Sequence, residues 1–365
     1  MLEKKPRFSP QRSFQQEMQL RVEERLAALG RCRYGGGRIY LKTALLLLWS
    51  GVSYLALIAW ARSWWQVVPL GVSLGLALAA IGFNVTHDGN HGAFSASRFV
   101  NRAMGGMLDL LGGSSYVWRW KHNVFHHSYP NVEGLDEDID LGAMCRMSRH
   151  QPHFPHQRLQ HIYMWILYCM IVPKWHLYDD FAALLKGRLG DNSFPRPRGG
   201  ELAQFLGGKL AFFFIAFAIP LFFHPLRQVL LVYVLVAIVQ GLNLAVVFQL
   251  AHTNEEACSF SASHPQEIAQ REWAVHQVET TVNFARKSRL LTWYVGGLNH
   301  QVEHHLFPRL SHVHLPAISD VVEQVCREHG VRYSEHPSFW SAVASHYGLL
   351  RSMGQAPLAA LGEAS

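Results

Sequence analysis

The chain is poor in charge: Asp, Glu, Lys and Arg make up 16% of its 365 residues, against about 25% in an ordinary soluble domain. So few ionic groups argue against a conventional water-facing surface. Cysteine is scarce too. Cys32, Cys145, Cys169, Cys258 and Cys326 are odd in number, far apart, and form no C-x-x-C pair. That pattern excludes a disulfide framework or a thiolate metal site and fits a reducing compartment. The sequence has no H-E-x-x-H, which sets aside a zinc hydrolase of that type. It has no internal repeat, and no secretory leader is expected, because the first apolar run starts near residue 43 behind a polar arm.

That arm carries Lys4, Lys5, Arg7, Arg12, Arg21, Arg25, Arg31, Arg33, Arg38 and Lys42 against four acids, within a chain of net charge +7. No aromatic-interleaved basic platform or nucleic-acid motif accompanies it, so no nucleic-acid partner is expected. A flank beside an anionic membrane leaflet is the better reading.

What the sequence has in abundance is apolar surface: 49% hydrophobic residues, with 21 Phe, 12 Tyr and 11 Trp. Stretches at about 43–61, 63–83, 205–224 and 228–249 are long enough to cross a bilayer, which takes roughly 20 residues of helix. The first two are separated by little more than Arg62, the last two by His224-Pro225-Leu226-Arg227. These links predict an all-α integral membrane protein with four transmembrane helices in two hairpins. Residues 1–42, 84–204 and everything after 250 then share one face, which the distribution of Lys and Arg assigns to the cytoplasm. The expected organisation is a basic arm over 1–42, a membrane domain over 43–325, and a C-terminal cytoplasmic segment over 326–365 that ends in a frayed GQAPLAALGEAS. The apolar run 159–173 is short and contains Pro173, so it is read as an interfacial helix. The Gly-rich stretch 104–117 is expected at the surface or re-entering it.

The 22 histidines are clustered. His87 and His91 in HDGNH share a helical face just past the second span. In HNVFHH, His122 and His126 stand one above the other, and His127 points about 100° away on an α-helix. His300 precedes Gln301-Val302-Glu303-His304-His305. His252 follows the fourth span as His87 follows the second. A lone histidine is ordinarily a surface or hydrogen-bonded core residue; eight imidazoles at one end of the spans point instead to a metal site. Imidazole suits Zn, Cu, Fe or Ni, but zinc with three or four ligands leaves half the set unused. Eight ligands fit two metals of higher coordination number with open positions, which points to iron held by a cytoplasmic helical cap.

Around these boxes several readings stay open. Asp136, Glu137, Asp138 and Asp140 either form a solvated loop or orient ligand imidazoles. Asp88 and Asn123, inside boxes, are candidates for such support, as are His312 and His314. His276 and His300 are further candidate ligands. His150, His153, His156 and His161 read as loop histidines. Arg119, Lys121, Arg286, Lys287, Arg289 and Arg309 either bind an acidic carrier or face lipid headgroups. Phe83, Trp118, Trp120, Phe248 and Phe284 either pack ordinarily or wall an apolar tunnel.

HDGNH, HNVFHH and QVEHH together resemble the three histidine boxes of the membrane fatty acid desaturase superfamily. With GGLNHQVEHHLFP, WAVHQVETTVNFA (273–285) and HNVFHHSYPN (122–131), the chain is similar to front-end or linoleoyl-CoA-type, delta-6-like bacterial desaturases over about residues 40–325. The resemblance implies an O2-dependent fatty acyl desaturase with two iron ions held by His87, His91, His122, His126, His127, His252, His304 and His305. Gln301 stands where other members carry a histidine, a weak ligand or a supporting group. The substrate is expected to be an acyl chain on CoA, acyl carrier protein or a membrane lipid, in the bacterial inner membrane with the active site on the cytoplasmic side. An acetylenase or hydroxylase would use the same residues. A metal transporter is disfavoured because its ligands belong at mid-membrane. Residues 1–42 are too few for a fused cytochrome b5 domain, and His264-Pro265-Gln266 and His336-Pro337-Ser338 do not match its HPGG haem motif. External electrons are therefore expected from ferredoxin or a free cytochrome b5.

Overall fold

A computed structural model describes residues 5–355; Lys4 of the basic arm and the expected tail from residue 356 onward lie outside the described residues. The protein is mostly helical, with a few two-residue strands. Four helices are long and apolar enough to cross a membrane: Gly36–Ala59, Trp64–His91, Gly200–Leu221 and Leu226–His252. They are called spans one to four below. Spans one, three and four begin before the apolar run, span two begins with it, and spans two and four outlast theirs. Two of them carry a π-helical turn, at Gly82–Thr86 in span two and Phe214–Ala218 in span three. Span two therefore does not stop short of the first histidine box but runs through it, and His252 is the last residue of span four.

Spans two and four cross closely because span two offers glycine at the crossing. A Cβ at Gly75 would lie 2.8 Å from Val239 Cβ and 2.9 Å from the Val236 carbonyl, and one at Gly71 would lie 2.6 Å from Leu235. The helix Gln160–Lys174 buries Met164, Tyr168 and Val172, the first two in a cluster shared with Ala245 of span four. Its Ile162, Ile166 and Met170 face outward. The stretch 104–117 is ordered. It ends the helix Arg98–Leu110 and begins Ser115–Trp118, whose Ser114 cap accepts from the Val117 N–H.

The N-terminal arm holds a helix that its charge had hidden. Ser13–Ala28 places Phe14, Met18 and Val22 four residues apart on one face and packs them with Ile318, Val322 and Val325 of helix Leu315–Glu328. At the other end, Gly354 and Gln355 finish the helix Phe339–Gln355 rather than starting a frayed tail. Two strand pairs act as staples: Val132–Glu133 runs parallel to Phe260–Ser261, and Asn283–Phe284 parallel to Glu335–His336. The first ties the loop after the second histidine box to the segment after span four. The second ties the segment before the third box to the C-terminal part of the chain.

The glycine crossing predicts the first outcome. Gly75→Ala should lower stability by about 1–3 kcal/mol through overpacking. Gly37→Ala, whose Cβ meets nothing within 4 Å, should be neutral. Thermal unfolding in detergent checks this, and equal midpoints for the two variants would contradict it.

Candidate metal centre

Four separate segments deliver the histidines. His87 and His91 form the short α-helical end of span two, directly after its π turn. Gly92, at φ +70°, then breaks the helix, a conformation that favours glycine. Gly89 inside this box lets helix Arg98–Leu110 approach: a Cβ there would lie 2.3 Å from the Gly105 nitrogen. The second box departs from the expected α-helix. Arg119–His126 is π-helical, and the His127 N–H donates to the His122 carbonyl at 2.9 Å, an i→i+5 bond. His127 is thereby brought back over His122 instead of pointing about 100° away. Their Nε2 atoms stand 3.1 Å apart. The third box is the fully buried short helix Gln301–Leu306.

These residues converge into two groups. One nitrogen each from His87, His91, His122 and His304 lies within 4.8 Å of the others, and the same holds for His126, His252 and His305. His127 stands between the groups: its Nε2 is 3.1 Å from that of His122 and 3.2 Å from that of His304, and its ring stacks on His305 with centroids 4.3 Å apart. All eight are buried.

The chemistry of the donor set fits metal ions. A neutral imidazole has one N–H donor and one acceptor nitrogen. His127 Nε2 faces two other imidazole nitrogens at once, and one proton cannot serve both contacts. His91 Nε2, His126 Nε2 and His305 Nε2 are buried with no hydrogen-bond partner, although a buried polar atom left bare costs free energy. For His126 and His305 the opposite nitrogen is firmly engaged. His126 Nδ1 donates to Asp136 Oδ2 at 3.0 Å, and His305 Nδ1 donates to Gln277 Oε1 at 2.9 Å. Such bonds fix the tautomer so that the bare Nε2 lone pair faces inward, the usual support for a metal-bound histidine.

Burial, reinforced by neighbouring imidazoles, holds His122, His127, His304 and His305 well below the ordinary imidazole range. They are neutral imidazoles with lone pairs available to a metal ion. His126 goes the other way: burial opposes its charge, but Asp136 and Asp138 outweigh it and raise its pKa.

Asp136 is fixed in turn. The same Oδ2 accepts the Asn131 N–H at 2.9 Å, and Oδ1 accepts the Asp138 N–H at 3.0 Å. Asn131, at φ 56°, donates through Nδ2 to the carbonyls of His252 at 2.7 Å and Thr280 at 3.2 Å. Box two, span four and the segment before box three thus meet at one asparagine. Glu303 anchors box three. Its carboxylate accepts from Asn283 at 2.8 Å, Ser319 at 2.8 Å and Tyr333 at 2.7 Å.

The remaining candidates fall into place. Gln301 lies at the second group, its Nε2 placed 2.9 Å from His252 Nε2 and its Oε1 without a partner. His276 and His300 join neither group. His276 Nε2 donates to the Pro130 carbonyl at 3.0 Å, and His300 Nδ1 lies 3.4 Å from Ser319 Oγ. Asp88 turns away from the histidines of its own box and accepts from Ser311 at 2.8 Å and from His312 Nδ1 at 2.9 Å, while His312 Nε2 meets Lys42 Nζ at 3.0 Å. Asn123 Nδ2 donates to the Asn90 carbonyl at 2.9 Å and so ties box two to box one. His314 meets the Tyr34 carbonyl at 2.9 Å.

Among the acids, Asp138 pairs with Lys121 at 2.7 Å, burial pushes Glu137 up to about 7, and exposed Asp140 only accepts from its own turn at Gly142. Arg286 pairs with Glu323 and Glu335, and Arg119 donates to Asn90 Oδ1 at 3.3 Å; Lys287, Arg289 and Arg309 are exposed. Trp118 stacks on His122 with centroids 4.3 Å apart, and Phe248 on His252 at 4.8 Å. Phe83 and Phe284 belong to a packing cluster with Val295, and Trp120 packs with Phe125 and Phe194.

Sequence reading missed Gln277, Asn131 and Lys42. Gln277 lies in the stretch 273–285, where His276 draws attention instead. Neighbours on a helix point about 100° apart, so only one of the two could face the centre.

Loss of an orienting carboxylate typically costs 10–100-fold in metal affinity. Asp136→Asn should therefore weaken ferrous-iron binding by about that factor, while Asp140→Asn leaves it unchanged. Titration of metal-stripped protein measures both, and equal affinities would sever Asp136 from the site.

Comparison with known proteins agrees with this geometry. Residues 63–337 match the family model for fatty acid desaturases. The chain is 37% identical over 352 residues to an sn-1 linoleoyl-lipid 6-desaturase of Synechocystis sp., covering 96% of this chain and 98% of the relative. It is 35% identical to the enzyme of the same description from Arthrospira platensis, over 96% and 95% of the two chains. To an acyl-lipid (8-3)-desaturase of Physcomitrium patens it is 35% identical, over 86% of this chain and 66% of the relative. With a matching family model, relatives aligned along nearly the whole chain, four membrane-length helices and a buried histidine cluster able to bind metal, this protein belongs to the fatty acid desaturase family.

Proposed function

We propose that the chain is a front-end desaturase that places a double bond at carbon 6 of an acyl group carried on a membrane glycerolipid, at a centre of two iron ions. The relatives that align with it end to end are named for that reaction on linoleoyl lipids. The observation that carries the reading is the convergence of histidines from four segments into two buried groups with bare inward nitrogens.

His87, His91, His122 and His304 would hold one metal; His126, His252 and His305 would hold the other, with Gln301 beside it and His127 between the two. Redox chemistry is needed, which zinc does not offer, and imidazole-rich sites suit iron. Two iron ions bound there supply the reduction of O2 and the oxidising power that takes hydrogen from two adjacent methylenes. The chain's own part is positional. Asp136 and Gln277 hold the Nε2 lone pairs of His126 and His305 inward. Trp118 and Phe248 cover ligand faces and keep water off them. His122, His127, His304 and His305, buried and neutral, would offer their lone pairs without proton competition at neutral pH. Electrons come from a separate donor, a ferredoxin or a free cytochrome b5.

The orientation follows the same reading. Spans one and two connect through 60–63, and spans three and four through 222–225, so each pair forms a hairpin and the far side carries little beyond Arg62 and Arg227. The arm 1–42, the histidine-bearing cap and the segment after 325 then lie together on the cytoplasmic side of a bacterial inner membrane, around a membrane domain over 43–325.

The test is expression in a host whose lipids contain linoleoyl chains, with fatty acids analysed by gas chromatography and mass spectrometry. Wild type should yield a product with two hydrogens fewer and a new double bond at carbon 6, and His126→Ala should yield none. A triple bond or a hydroxyl at that position would move the enzyme to acetylenase or hydroxylase chemistry. Identical profiles for wild type and variant would remove the assignment.

A further inference from the structure

A cavity of about 480 Å³ lies between the four spans, lined by none of the eight clustered histidines. That volume is within the range of small-molecule sites, roughly 300–1,000 Å³. From Leu47 to Ile58 its wall follows span one for about 17 Å of helix, and its inner end reaches Ile81, less than two turns before His87. Its rim carries exposed apolar residues from different segments: Leu47 at 40%, Leu110 at 48% and Ile215 at 38%. Tyr54 on span one donates to the Ile215 carbonyl of span three at 2.6 Å across it.

Most polar groups in the wall are already engaged. Ser50 donates to the Leu47 carbonyl, Arg62 to carbonyls of its own helix end, and His176 pairs with Tyr233. The surface left to a ligand is therefore apolar. Gln240 is the buried exception; Gln228, the other wall amide without a side-chain partner among the described residues, is exposed. Gln240 sits near the middle of span four, is 4% exposed, lines the cavity, and its amide has no hydrogen-bond partner among the described residues. An amide in that position is costly unless something meets it.

We infer that this cavity is a binding site for an acyl chain of a bilayer glycerolipid, entering sideways between spans one and three, and that the Gln240 amide rests against the chain's double bond. The occupant follows from the surroundings. The mouth opens between membrane-length helices, where lipid chains are the surrounding medium, and the wall is long and mostly apolar. An amide N–H can donate weakly to a π-bond, which a saturated chain lacks. The inference takes from the proposed function only that the substrate is a glycerolipid; its readout does not depend on turnover.

Gly51 provides the test. It lines the cavity, and a Cβ there would meet nothing within 4 Å, so Gly51→Phe fills the space without striking backbone. Protein in phosphatidylglycerol nanodiscs would be irradiated with a trace of phosphatidylglycerol bearing a mid-chain diazirine, and the labelled residues mapped by mass spectrometry. Wild type and His126→Ala should both be labelled at buried cavity residues such as Leu57 and Ala237. Gly51→Phe should lower that label at least five-fold, Gly37→Phe should not, and a free fatty acid with the same diazirine should label the cavity less than the lipid. Gly51→Leu, a smaller insertion, serves if the Phe variant fails to fold. Dilinoleoyl phosphatidylglycerol should compete several-fold better than the distearoyl lipid, and Gln240→Leu should erase that preference. Label confined to outward residues such as Leu48 and Leu55, equal label from the free acid, insensitivity to both Gly51 variants, or a preference unchanged in Gln240→Leu would overturn the inference. Cavity labelling without any desaturated product would break the proposed function and leave this site standing; product without cavity labelling would do the reverse.

Discussion

Eight imidazoles cannot be packed together out of water without something for their nitrogens to bind, and the rest of this structure is arranged around that requirement. Burial removes water as a partner. Crowding then sets nitrogen against nitrogen, as at His122, His127 and His304. Buried charged groups nearby and elsewhere in the fold are met by neighbours: Glu303 by an amide and two hydroxyls, Lys209 by Asp180 and the Gly112 carbonyl. At the centre the Nε2 atoms of His126 and His305 are left bare while their Nδ1 atoms are fixed by Asp136 and Gln277. That asymmetry is what the proposed metal cage requires of its ligands.

The scaffold achieves it with local departures from the α-helix. The π turn in span two reorients the helix just before His87, and the π-helical second box folds His127 back over His122. Two-residue strands then pin the flanking loops, and Asn131 joins three of the contributing segments. Precision comes from side chains and staples outside the boxes. The cavity among the spans supplies the complementary property, an apolar space with one buried amide, Gln240, left without a partner among the described residues.

Much of this was legible in the sequence. The histidine spacing and its place beside the apolar runs identified the eight residues that converge, because metal ligation needs particular side chains at particular positions. The four long helices were legible because a bilayer imposes a length. The π geometry was not. Nothing in HNVFHH distinguishes it from an α-helical turn, and the expected direction of His127 was wrong for that reason. Nor were Asn131, Gln277 and Lys42, whose partners lie far away in sequence. Gln277 was hidden beside His276, a more conspicuous residue that binds the Pro130 carbonyl instead. Helix Ser13–Ala28 was readable from the spacing of Phe14, Met18 and Val22, but a reading led by charge passed over it.

In the proposed function the two histidine groups hold two metal ions. The most direct measurement is an experimental structure of iron-loaded protein with diffraction recorded at the iron absorption edge. Two anomalous peaks are expected, one among His87, His91, His122 and His304 and one among His126, His252 and His305. A single peak, or iron bound away from these side chains, would contradict it.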